Sequence, residues 1–521
     1  MLIKKLQKPE LYDHSVEKFK VIETHISWVI LTGTYAYKIK KPVDFGFLDY
    51  TTLDKRRKYS EDEVQLNNRL ASDIYLQVVP IFGSAENPSF QPIGKLIEYA
   101  IKMRQFPQND MFTALAERGE LTEKLISEVA DEIARFHQKA LICPMDEPYG
   151  TTELVMKPVQ QNFDQMYPLI KEKSDKYKLE KLEAWAQQQS SKLKLIFEQR
   201  KNGNFIRECH GDLHLDNIVL FNNKPVIFDC IEFNEEFRWL DVMADFGFLV
   251  MDLEHKHRLD FAFALLNRYL MRTYDYHGLK ILRFYMAYRA IVRAKVTLMS
   301  LTYDNLSQET YTTRYEYYQS CLELADHYRQ PIKPWILITH GVSCSGKSSL
   351  SRFLANECQA IHINSDVERK RSHHFPAEAK TKSGFYQDIY SHEATERTYQ
   401  GLLDTATLII DAGYPVIVDA TFLKQAQRNE FKELAKKLQI PFVILRTKAP
   451  AGKLREWLLQ RQRDDKEHSE AAMEVLNYQL KTAEWLNEDE LNYTVTFNTA
   501  EEAAFKDVDW LIPKLYQYIE L

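Results

Sequence analysis

The sequence predicts a multidomain protein of mixed α/β and α+β class, in which a two-lobed domain precedes a doubly wound parallel sheet. Strand-like runs are concentrated in residues 1–110, and helical pattern dominates residues 111–330. Residues 331–521 alternate short apolar runs with helical pattern, which is typical of a parallel sheet covered by helices on both faces. A chain of 521 residues is long enough for these domains.

Within residues 1–110, four runs predict strands and one stretch predicts a helix between the second and third strands. The strands are "SWVILTG", "TYAYKIKK", "LQVVPIFG" and "IEYAIKMRQF", and the helix is "DKRRKYSEDEVQLNNRLA". In the helical lobe, "NIVLFNNKPVIFDCI" predicts a strand pair around the turn Asn222-Asn223. Residues 168–200 predict an exposed pair of helices.

Pro331 and Pro334 interrupt the helical pattern and mark the start of the last domain. There the predicted strands are "WILITHG", "AIHINSD", "PVIVDAT" and "FVILRTK", each ending in polar residues. Because ligands bind at the carboxyl edge of a parallel sheet, these polar ends are candidate site residues.

Composition narrows the classes of function. The net charge of −6 gives no general attraction to nucleic acid or to an anionic membrane. The six cysteines form no CxxC pair, the N-terminus has no apolar leader, and no apolar run reaches membrane-spanning length. We therefore expect a reduced, cytoplasmic protein without a membrane partner; no pattern indicates its oligomeric state.

The stretch "HGDLHLDN", residues 210–217, carries the first chemical signal. Asn217 follows Asp212 by five positions, and Asp229 follows Asn217 by twelve across the predicted hairpin. A kinase-type site needs an acid to orient the acceptor hydroxyl and an Asn and an Asp to bind metal at these spacings. The alternative is a surface loop whose polar residues cap and turn, but the hairpin before Asp229 favours the site.

This loop resembles the catalytic loop of aminoglycoside phosphotransferases and related small-molecule kinases. The resemblance implies that Asp212 is the base or hydroxyl-orienting group and that Asn217 and Asp229 bind Mg²⁺. It implies a structural role for His210, which would support the loop. It also implies a protein-kinase-like, two-lobed fold for residues 1–330.

The small lobe should supply a lysine for the phosphates. Lys38 and Lys40 share one face of a predicted strand, and Gly33 sits at the turn before it. We favour Lys38 paired with Glu63, with Glu61 as the second choice; the alternative is that the lysines only keep an edge strand soluble. Adenine would lie against the backbone from Met103 to Phe106.

Charged residues also occur in the apolar helical runs that follow. Asp241 is expected to anchor the catalytic loop rather than to react. Arg289 and Arg293 lie one helical turn apart. They could bind an anionic substrate, although ordinary ion pairing is the more frequent use of such arginines.

The stretch "GVSCSGKS", residues 341–348, fits G-x-x-x-x-G-K-[ST], follows a predicted strand and opens a helix. In this P-loop, backbone N–H groups and the helix N-terminus surround phosphates. Lys347 would reach the β- and γ-phosphates, and Ser348 would hold Mg²⁺. The predicted nucleotide-binding residues are Gly341, Ser343, Cys344, Ser345, Gly346, Lys347, Ser348 and Ser349.

Two acids end neighbouring strands beside the P-loop. Asp366 ends the second strand and Asp419 the third. One would act on the metal and the other on a substrate hydroxyl. We favour Asp366 as the substrate-facing base and Asp419 as the metal-associated acid, and the reverse assignment stays open.

The patterns "NSD…RKR", "DATF…QRNEF" and "LLQRQRDD" resemble small P-loop kinases of the polynucleotide-kinase, gluconate-kinase and zeta-toxin type. The resemblance implies Arg461 and Arg463 as lid residues at the transferring phosphoryl group and Arg428 as a phosphate contact. For each arginine the alternative is a solvated helix face. The basic cluster 368–375, "ERKRSHHF", either grips an anionic substrate or is a solvated loop.

The whole chain resembles a bacterial family of bifunctional aminoglycoside phosphotransferase-like and P-loop ATP-binding proteins. The resemblance implies an ATP- and Mg²⁺-dependent kinase that phosphorylates hydroxyls of small polar acceptors at two sites. Two alternatives are a P-loop domain acting on nucleic-acid ends or nucleotide sugars, and a first domain that binds nucleotide only to regulate. A nucleic-acid partner is not favoured, and no dense acidic patch suits an aminoglycoside.

Overall fold

The computed structural model describes residues 1–46, 48–302, 306–373, 375, 391–464, 470–500, 508 and 510–519. They divide into two compact units. The first unit contains residues 1–256 and 284–326, and the second contains residues 257–283 and 327–521. Residues 257–283 thus group with the second unit, whereas the predicted domain limits at 110 and 330 stay predictions.

The first unit begins with a six-stranded antiparallel sheet in the order β1-β2-β3-β6-β4-β5. All four predicted strands and the predicted helix are present, and β1 and β5 are added at the sheet edges. The elements are α1 (Leu2–Lys5), β1 (Lys20–Glu23), β2 (Ser27–Leu31), β3 (Tyr35–Lys40), α2 (Leu53–Asn67), β4 (Tyr75–Gly83), β5 (Pro88–Ser89) and β6 (Leu96–Arg104).

Helices dominate the chain after this sheet, as predicted. The predicted pair of helices at 168–200 is wrong: a single helix runs for 30 residues, because no Gly or Pro interrupts it before Gly203. The helices are α3 (Phe112–Glu117), α4 (Glu123–Lys139), α5 (Thr152–Met166), α6 (Lys173–Asn202), α7 (Val242–His255), α8 (Leu259–Thr273), α9 (Leu279–Ser300) and α10 (Gln308–Arg329).

The predicted hairpin is present as β8 (Ile218–Phe221) and β9 (Lys224–Ile227), which pair antiparallel. Its two turn residues, Asn222 and Asn223, have φ values of 51° and 61°. Asparagine tolerates this left-handed conformation, which two-residue hairpin turns require. A second small sheet pairs β7 (Ile206–Glu208) with β10 (Trp239–Asp241).

The second unit contains a five-stranded sheet in the order β12-β13-β11-β14-β15, and every neighbouring pair is parallel. The four predicted strands form, and a fifth adds an edge. The elements are β11 (Ile336–His340), α11 (Lys347–Glu357), β12 (Ile361–Asn364), α12 (Ser365–Ser372), α13 (His392–Asp411), β13 (Val416–Asp419), α14 (Gln425–Leu438), β14 (Phe442–Lys448), α15 (Ala451–Asp464), α16 (Glu470–Thr482), α17 (Glu488–Leu491), β15 (Thr494–Asn498) and α18 (Leu511–Ile519).

Both faces of this sheet are buried. Leu337, Ile417 and Leu445 pack with α11 and α18 on one face. Their strand neighbours Ile338 and Val418, whose side chains point to the opposite face, are also fully buried. Helices therefore cover the sheet on both sides, which explains why its strands read as continuous apolar runs.

The edge strand β12 is covered by α8. This helix precedes the main part of the second unit, which begins at residue 327. Asn267 Nδ2 donates to the Ala360 carbonyl oxygen at 3.1 Å, and the His362 N–H donates to Asn267 Oδ1 at 2.8 Å. One amide side chain thus satisfies a donor and an acceptor of the exposed edge, as a further strand would do.

Throughout the described ranges, every helix is too short or too polar to span a membrane.

Candidate active sites

The first candidate site is built on residues 210–217, between β7 and β8. Asn217 Nδ2 donates to the carbonyl oxygen of Asp212 at 2.9 Å and to its carboxylate at 3.1 Å. His214 Nε2 lies 3.2 Å from the same carboxylate. Burial opposes the charge of Asp212, but the His214 ring and other nearby cations hold its pKa below the ordinary value. Asp212 is therefore an ionised carboxylate near neutral pH.

Two carboxylates of α7 fix the backbone of this loop. Asp245 accepts hydrogen bonds from the N–H groups of His210 at 3.1 Å and Gly211 at 2.7 Å. Asp252 accepts one from the Leu215 N–H at 2.9 Å. Because Asp245 and Asp252 are completely buried, these bonds hold the loop in one position.

The expectation that Asp241 anchors the loop is wrong. Asp241 precedes the first turn of α7, where it accepts a bond from the Met243 N–H at 2.8 Å. Its carboxylate pairs with the buried Arg200 guanidinium at 2.5 and 2.8 Å. The loop is reached from one turn further along α7, by Asp245.

The glycine and the first histidine of the loop have structural roles. Gly211 has a φ of 90°, and a Cβ there would lie 2.5 Å from the Phe237 carbonyl oxygen. His210 is buried and donates through Nε2 to the Phe228 carbonyl oxygen at 2.9 Å. Burial keeps its pKa low, so the ring is neutral and serves as a support for the loop.

Lys38 joins the small lobe to the catalytic loop region. Its Nζ donates to Glu63 Oε1 at 2.8 Å and to Asp229 Oδ1 at 2.6 Å. The predicted pairing of Lys38 with Glu63 is thus present, and Lys38 also contacts the candidate metal ligand. The second choice, Glu61, instead pairs with Arg57 on the exposed side of α2.

Lys40 points into a closed polar network that the sequence did not reveal. Its Nζ lies 2.6 Å from Glu63 Oε2, 3.2 Å from the Tyr50 hydroxyl, and also contacts Glu232. Tyr50 donates a hydrogen bond to Glu232. Lys40 is 2% exposed, whereas the Asp229 side chain that meets Lys38 is 43% exposed. Lys38 is therefore the lysine that an incoming phosphate can reach.

Glu63 accepts from both lysines, and it is completely buried. Burial alone would raise its pKa, but the two ammonium groups hold the pKa below the ordinary value. Glu63 thus stays ionised and fixes the position of Lys38 through charge.

The oxygens of Asn217 and Asp229 fit a hard cation. Among the described residues, Asn217 Oδ1 and Asp229 Oδ2 take part in no hydrogen bond, while the other polar atoms of these side chains are engaged. The Phe228 N–H donates to the Asn217 carbonyl at 3.0 Å across the hairpin. This bond keeps Asn217 close to Asp229, the residue that follows Phe228. Oxygen donors of this kind are the ligands that Mg²⁺ prefers.

Met103 lies near the end of β6 in an apolar cluster formed by the six-stranded sheet and the β8–β9 hairpin region. It is 7% exposed and packs with Ala36, Val219 and Phe228. The nearby turn at Gly33 has a φ of 97°, and its N–H donates to Gln105 Oε1 at 2.8 Å. Met103, the first residue of the segment predicted to lie against adenine, is thus part of this buried apolar cluster, and adenine binding there stays a prediction.

Arg289 and Arg293 form different contacts. Arg293 pairs with Asp216 at 3.3 Å and donates to the Tyr317 hydroxyl at 3.1 Å, as the ion-pairing alternative predicted. Arg289 donates to the Ala244 carbonyl at 3.3 Å, and its charge is one of the groups that lower the pKa of Asp212.

The second candidate site is the P-loop between β11 and α11. Gly346 has a φ of 85° and precedes the helix, whose first turn contains Lys347, Ser348 and Ser349. A Cβ at Gly341 would lie 2.5 Å from Thr447 Oγ1. The loop thus has the glycines and the helix N-terminus that phosphate binding needs.

Other residues of the P-loop are held by side-chain contacts. Ser345 Oγ lies 2.7 Å from Thr447 Oγ1, and the Ser343 N–H donates to Gln479 Oε1 of α16 at 2.8 Å. Cys344 has a φ of 63°, an uncommon conformation for a residue with a side chain. No sequence signal identifies Gln479, because it lies 136 residues from its partner.

Lys347 and Asp419 are both buried beside this loop. Lys347 Nζ donates to the Val342 carbonyl at 2.8 Å, and burial lowers its pKa while Asp419 opposes the shift. Burial opposes the charge of Asp419, but the His362 ring, Lys347 and the Ser348 hydroxyl hold its pKa low. Asp419 is thus connected to the serine that would hold Mg²⁺.

Asp366 lies one strand away and is much more exposed. Asn364 pairs with Asp419 in the sheet register, and its Nδ2 donates to Asp419 Oδ2 at 2.6 Å. Asp366 follows in the first turn of α12, and its carboxylate is 52% exposed and 2.8 Å from Lys370. The buried acid beside Ser348 suits the metal-associated assignment, and the exposed acid suits contact with a substrate. Both assignments stay predictions.

The expectation that Arg428 contacts phosphate is wrong. Arg428 is buried, forms a two-pronged pair with Glu490 at 2.6 and 2.9 Å, and donates to the Phe422 and Glu484 carbonyl oxygens. Four hydrogen bonds within the unit thus hold its guanidinium. The ion pair of Arg428 with Glu490 links α14 to α17.

The basic cluster 368–375 lies mostly on α12. Lys370 pairs with Asp366, and Arg371 pairs with the buried Glu368 at 2.6 Å. These bases are engaged with neighbouring acids of their own helix. The predicted lid residues Arg461 and Arg463 belong to α15, but their side chains lie outside the described part of the structure, as does His374.

Two family models match the chain. Residues 61–282 match the phosphotransferase enzyme family, and residues 336–486 match the AAA domain. The chain therefore carries a phosphotransferase-family domain with a kinase-like fold, followed by a P-loop kinase domain, and it is an enzyme of the phosphotransferase class.

Its relatives share both parts. An uncharacterized protein of Mycobacterium tuberculosis strain H37Rv is 27% identical over 441 residues, which cover 85% of this chain and 86% of the relative. An uncharacterized protein of Mycobacterium bovis matches to the same extent.

Two solved structures resemble portions of the chain. Ethanolamine kinase of Plasmodium vivax is 12% identical and covers 61% of this chain and 86% of its own, with a TM-score of 0.37. A gluconokinase of Sinorhizobium meliloti is 22% identical and covers 36% of this chain and 95% of its own, with a TM-score of 0.26.

Proposed function

We propose that this enzyme has two Mg-ATP sites, each of which transfers a γ-phosphoryl group to a hydroxyl of a small polar acceptor. The observation that carries the proposal is the position of Lys38, which contacts both Glu63 and Asp229 while Asp212 and Asn217 are hydrogen-bonded to each other. These are the cation, metal ligands and hydroxyl-orienting acid that phosphoryl transfer requires.

In the first site, the ammonium of Lys38 binds phosphate oxygens, and Glu63 keeps it in place. Asn217 and Asp229 would hold Mg²⁺, which supplies neutralisation of phosphate charge when bound. Asp212 accepts the hydrogen bond of the acceptor hydroxyl and so directs its oxygen at the γ-phosphorus. Because Asp212 is a weak base, its main contribution is orientation.

In the second site, Lys347 leaves the Val342 carbonyl to bind the β- and γ-phosphates. Ser348 and Asp419 would hold Mg²⁺ and its water shell, a role that their mutual hydrogen bond supports. Asp366 is the acid that faces the acceptor. The AAA-domain match and the P-loop geometry both support nucleotide binding here.

Location is part of the same proposal. All six cysteines are free thiols, and five of them are buried. This agrees with a reducing compartment, and the cytoplasm also contains the phosphoryl donor.

Two single variants test the assignment of the sites. Asp212→Ala should abolish transfer at the first site only, and Lys347→Ala should abolish it at the second only. Calorimetry with Mg·AMP-PNP should find two nucleotides per wild-type chain. Fewer than two would refute the proposal. If Asp212→Ala leaves every activity intact, the first domain only regulates.

The acceptor class is tested separately. A panel of labelled acceptors should include sugars, amino alcohols, nucleotide sugars and nucleic-acid 5′-hydroxyls. Transfer to the last two that depends on Lys347 would establish the polynucleotide- or toxin-like alternative instead.

A further inference from the structure

The first unit contains a cavity of about 420 Å³, and the residues that contact Lys38 do not line it. Its wall is formed by residues of α9 and α10, together with His25 from the β1–β2 turn. The polar residues of the helical wall are Thr297, Ser300, Thr313, Arg314 and Tyr317.

Arg314 supplies a positive charge to this cavity, and no described residue forms an ion pair with it. One of its N–H groups donates to the Ser300 carbonyl at 3.0 Å. Within the described ranges, no carboxylate lies within 4 Å of it, and its other guanidinium N–H groups have no acceptor. A guanidinium has five N–H donors, so four remain for a ligand.

Tyr317 also lines the cavity. Its oxygen accepts the Arg293 Nε–H at 3.1 Å, and its side chain is hydrogen-bonded to Cys321 as well. Arg293 is charge-paired with Asp216 at 3.3 Å, which leaves Arg314 as the free cation among the described groups of this wall. The described residues of the wall thus offer hydrogen-bond donors and positive charge, and no carboxylate is among them.

The cavity is connected to the catalytic loop along one face of α9. Arg289, Arg293, Thr297 and Ser300 follow at spacings of four, four and three residues, which places them on one side of the helix. Arg289 lies close enough to Asp212 to lower its pKa, whereas Thr297 and Ser300 line the cavity. At 1.5 Å per residue, the distance from Arg289 to the cavity is roughly 12–16 Å.

We propose that this cavity binds an anionic group, a phosphate or a carboxylate, of an acceptor whose hydroxyl lies at Asp212. This inference rests on the proposed function of the first site and names its substrate class. An acceptor of the size of a sugar phosphate or a longer sugar acid spans the required distance. A polycation would meet Arg314, Arg293 and Arg289 and be repelled.

The test is calorimetric titration of the full chain with inorganic phosphate, after both nucleotide sites are filled with Mg·AMP-PNP. Wild type should bind one phosphate, and Arg314→Gln should weaken that binding at least tenfold. Arg135→Gln, which removes an exposed arginine of α4, should bind as wild type does. Equal binding by wild type and Arg314→Gln, or no binding by wild type, overturns the inference.

Kinetics then identify the source of the anion. Glucose 6-phosphate and glucuronate are compared with glucose as acceptors or as competitors. For the charged compound that fits the cavity, Arg314→Gln should raise KM or Ki at least tenfold while kcat is retained. An equal loss for glucose would contradict a charge-specific subsite.

The two proposals fail in different ways. If phosphate binds through Arg314 but Asp212→Asn leaves transfer intact, the proposed function of the first site fails and the anion site stands. If Asp212→Asn abolishes transfer but phosphate does not bind, the anion site fails alone.

Discussion

Lys38 and Lys40 lie two residues apart and both contact Glu63. Replacing Lys40 should lower stability, whereas replacing Lys38 should lower activity. In a Lys40→Met variant, Glu232 loses its cation, and Tyr50 and Glu63 each lose a partner. Breaking a buried charge pair costs about 3–5 kcal/mol. We therefore expect the free energy of unfolding to fall by about that amount.

Lys38→Met removes the phosphate-binding cation at the open side of the network. Glu63 keeps Lys40 as its partner, so stability should change little. Activity at the first site should fall by about 10²–10³-fold, as for loss of a group that stabilises transition-state charge.

Thermal unfolding and acceptor kinetics separate these effects. The 3–5 kcal/mol of Lys40→Met corresponds to a melting temperature lower by about 10 °C. Lys41→Met is the control, because its surface pair with Glu23 contributes about 1 kcal/mol or less. Adding Glu232→Leu to Lys40→Met should restore much of the stability. If Lys40→Met is stable but inactive, and Lys38→Met is active, the assignment of the two lysines is refuted.

Three further predictions concern the second unit. The pKa of His340 is lowered to about 4, chiefly by burial. As pH falls from about 6.5 to 4, His340 takes up a proton in the unfolded chain but not in the folded chain. The free energy of unfolding of the wild type should therefore drop by up to about 3 kcal/mol more than that of His340→Gln. Denaturant titration at each pH measures the difference. Gly341→Ala should abolish nucleotide binding at the P-loop in calorimetry, because the new Cβ would overlap a threonine side chain. Gly452→Ala is the control and should bind normally, since there is open space around that residue. Normal binding by Gly341→Ala would contradict the geometry. A fragment that begins at residue 331 should fail to give a cooperative unfolding transition, and a stable folded fragment would show that α8 is dispensable.

Motifs whose chemistry is local could be predicted from the sequence. The spacing of Asp212, Asn217 and Asp229 follows from a loop and a hairpin of fixed length, so the sequence determines their proximity. The P-loop is likewise a strand, a turn and a helix in succession. The pairing of Lys38 with Glu63 is predictable because the lysine lies on a strand and the acid on the helix that follows it.

Partners that are distant in sequence could not be predicted. The resemblance to related kinases predicts a phosphate contact for Arg428, but the acid that pairs with it, Glu490, lies 62 residues further on. Asp241 caps the start of α7 and Asp245 lies one turn further along it, and only the direction of each side chain shows which acid reaches the loop. Glu232 carried no signal beyond an acid near Asp229.

The path of the chain through residues 257–283 affects how the gene can change. Asn267 closes the edge of a sheet whose first strand is encoded about 70 codons later. A recombination event between the two reading-frame halves would separate the helix from the strand that it covers. Descendants of this gene should therefore inherit both halves together, because a crossover before codon 257 would in turn separate residues 284–326 from the rest of the first unit.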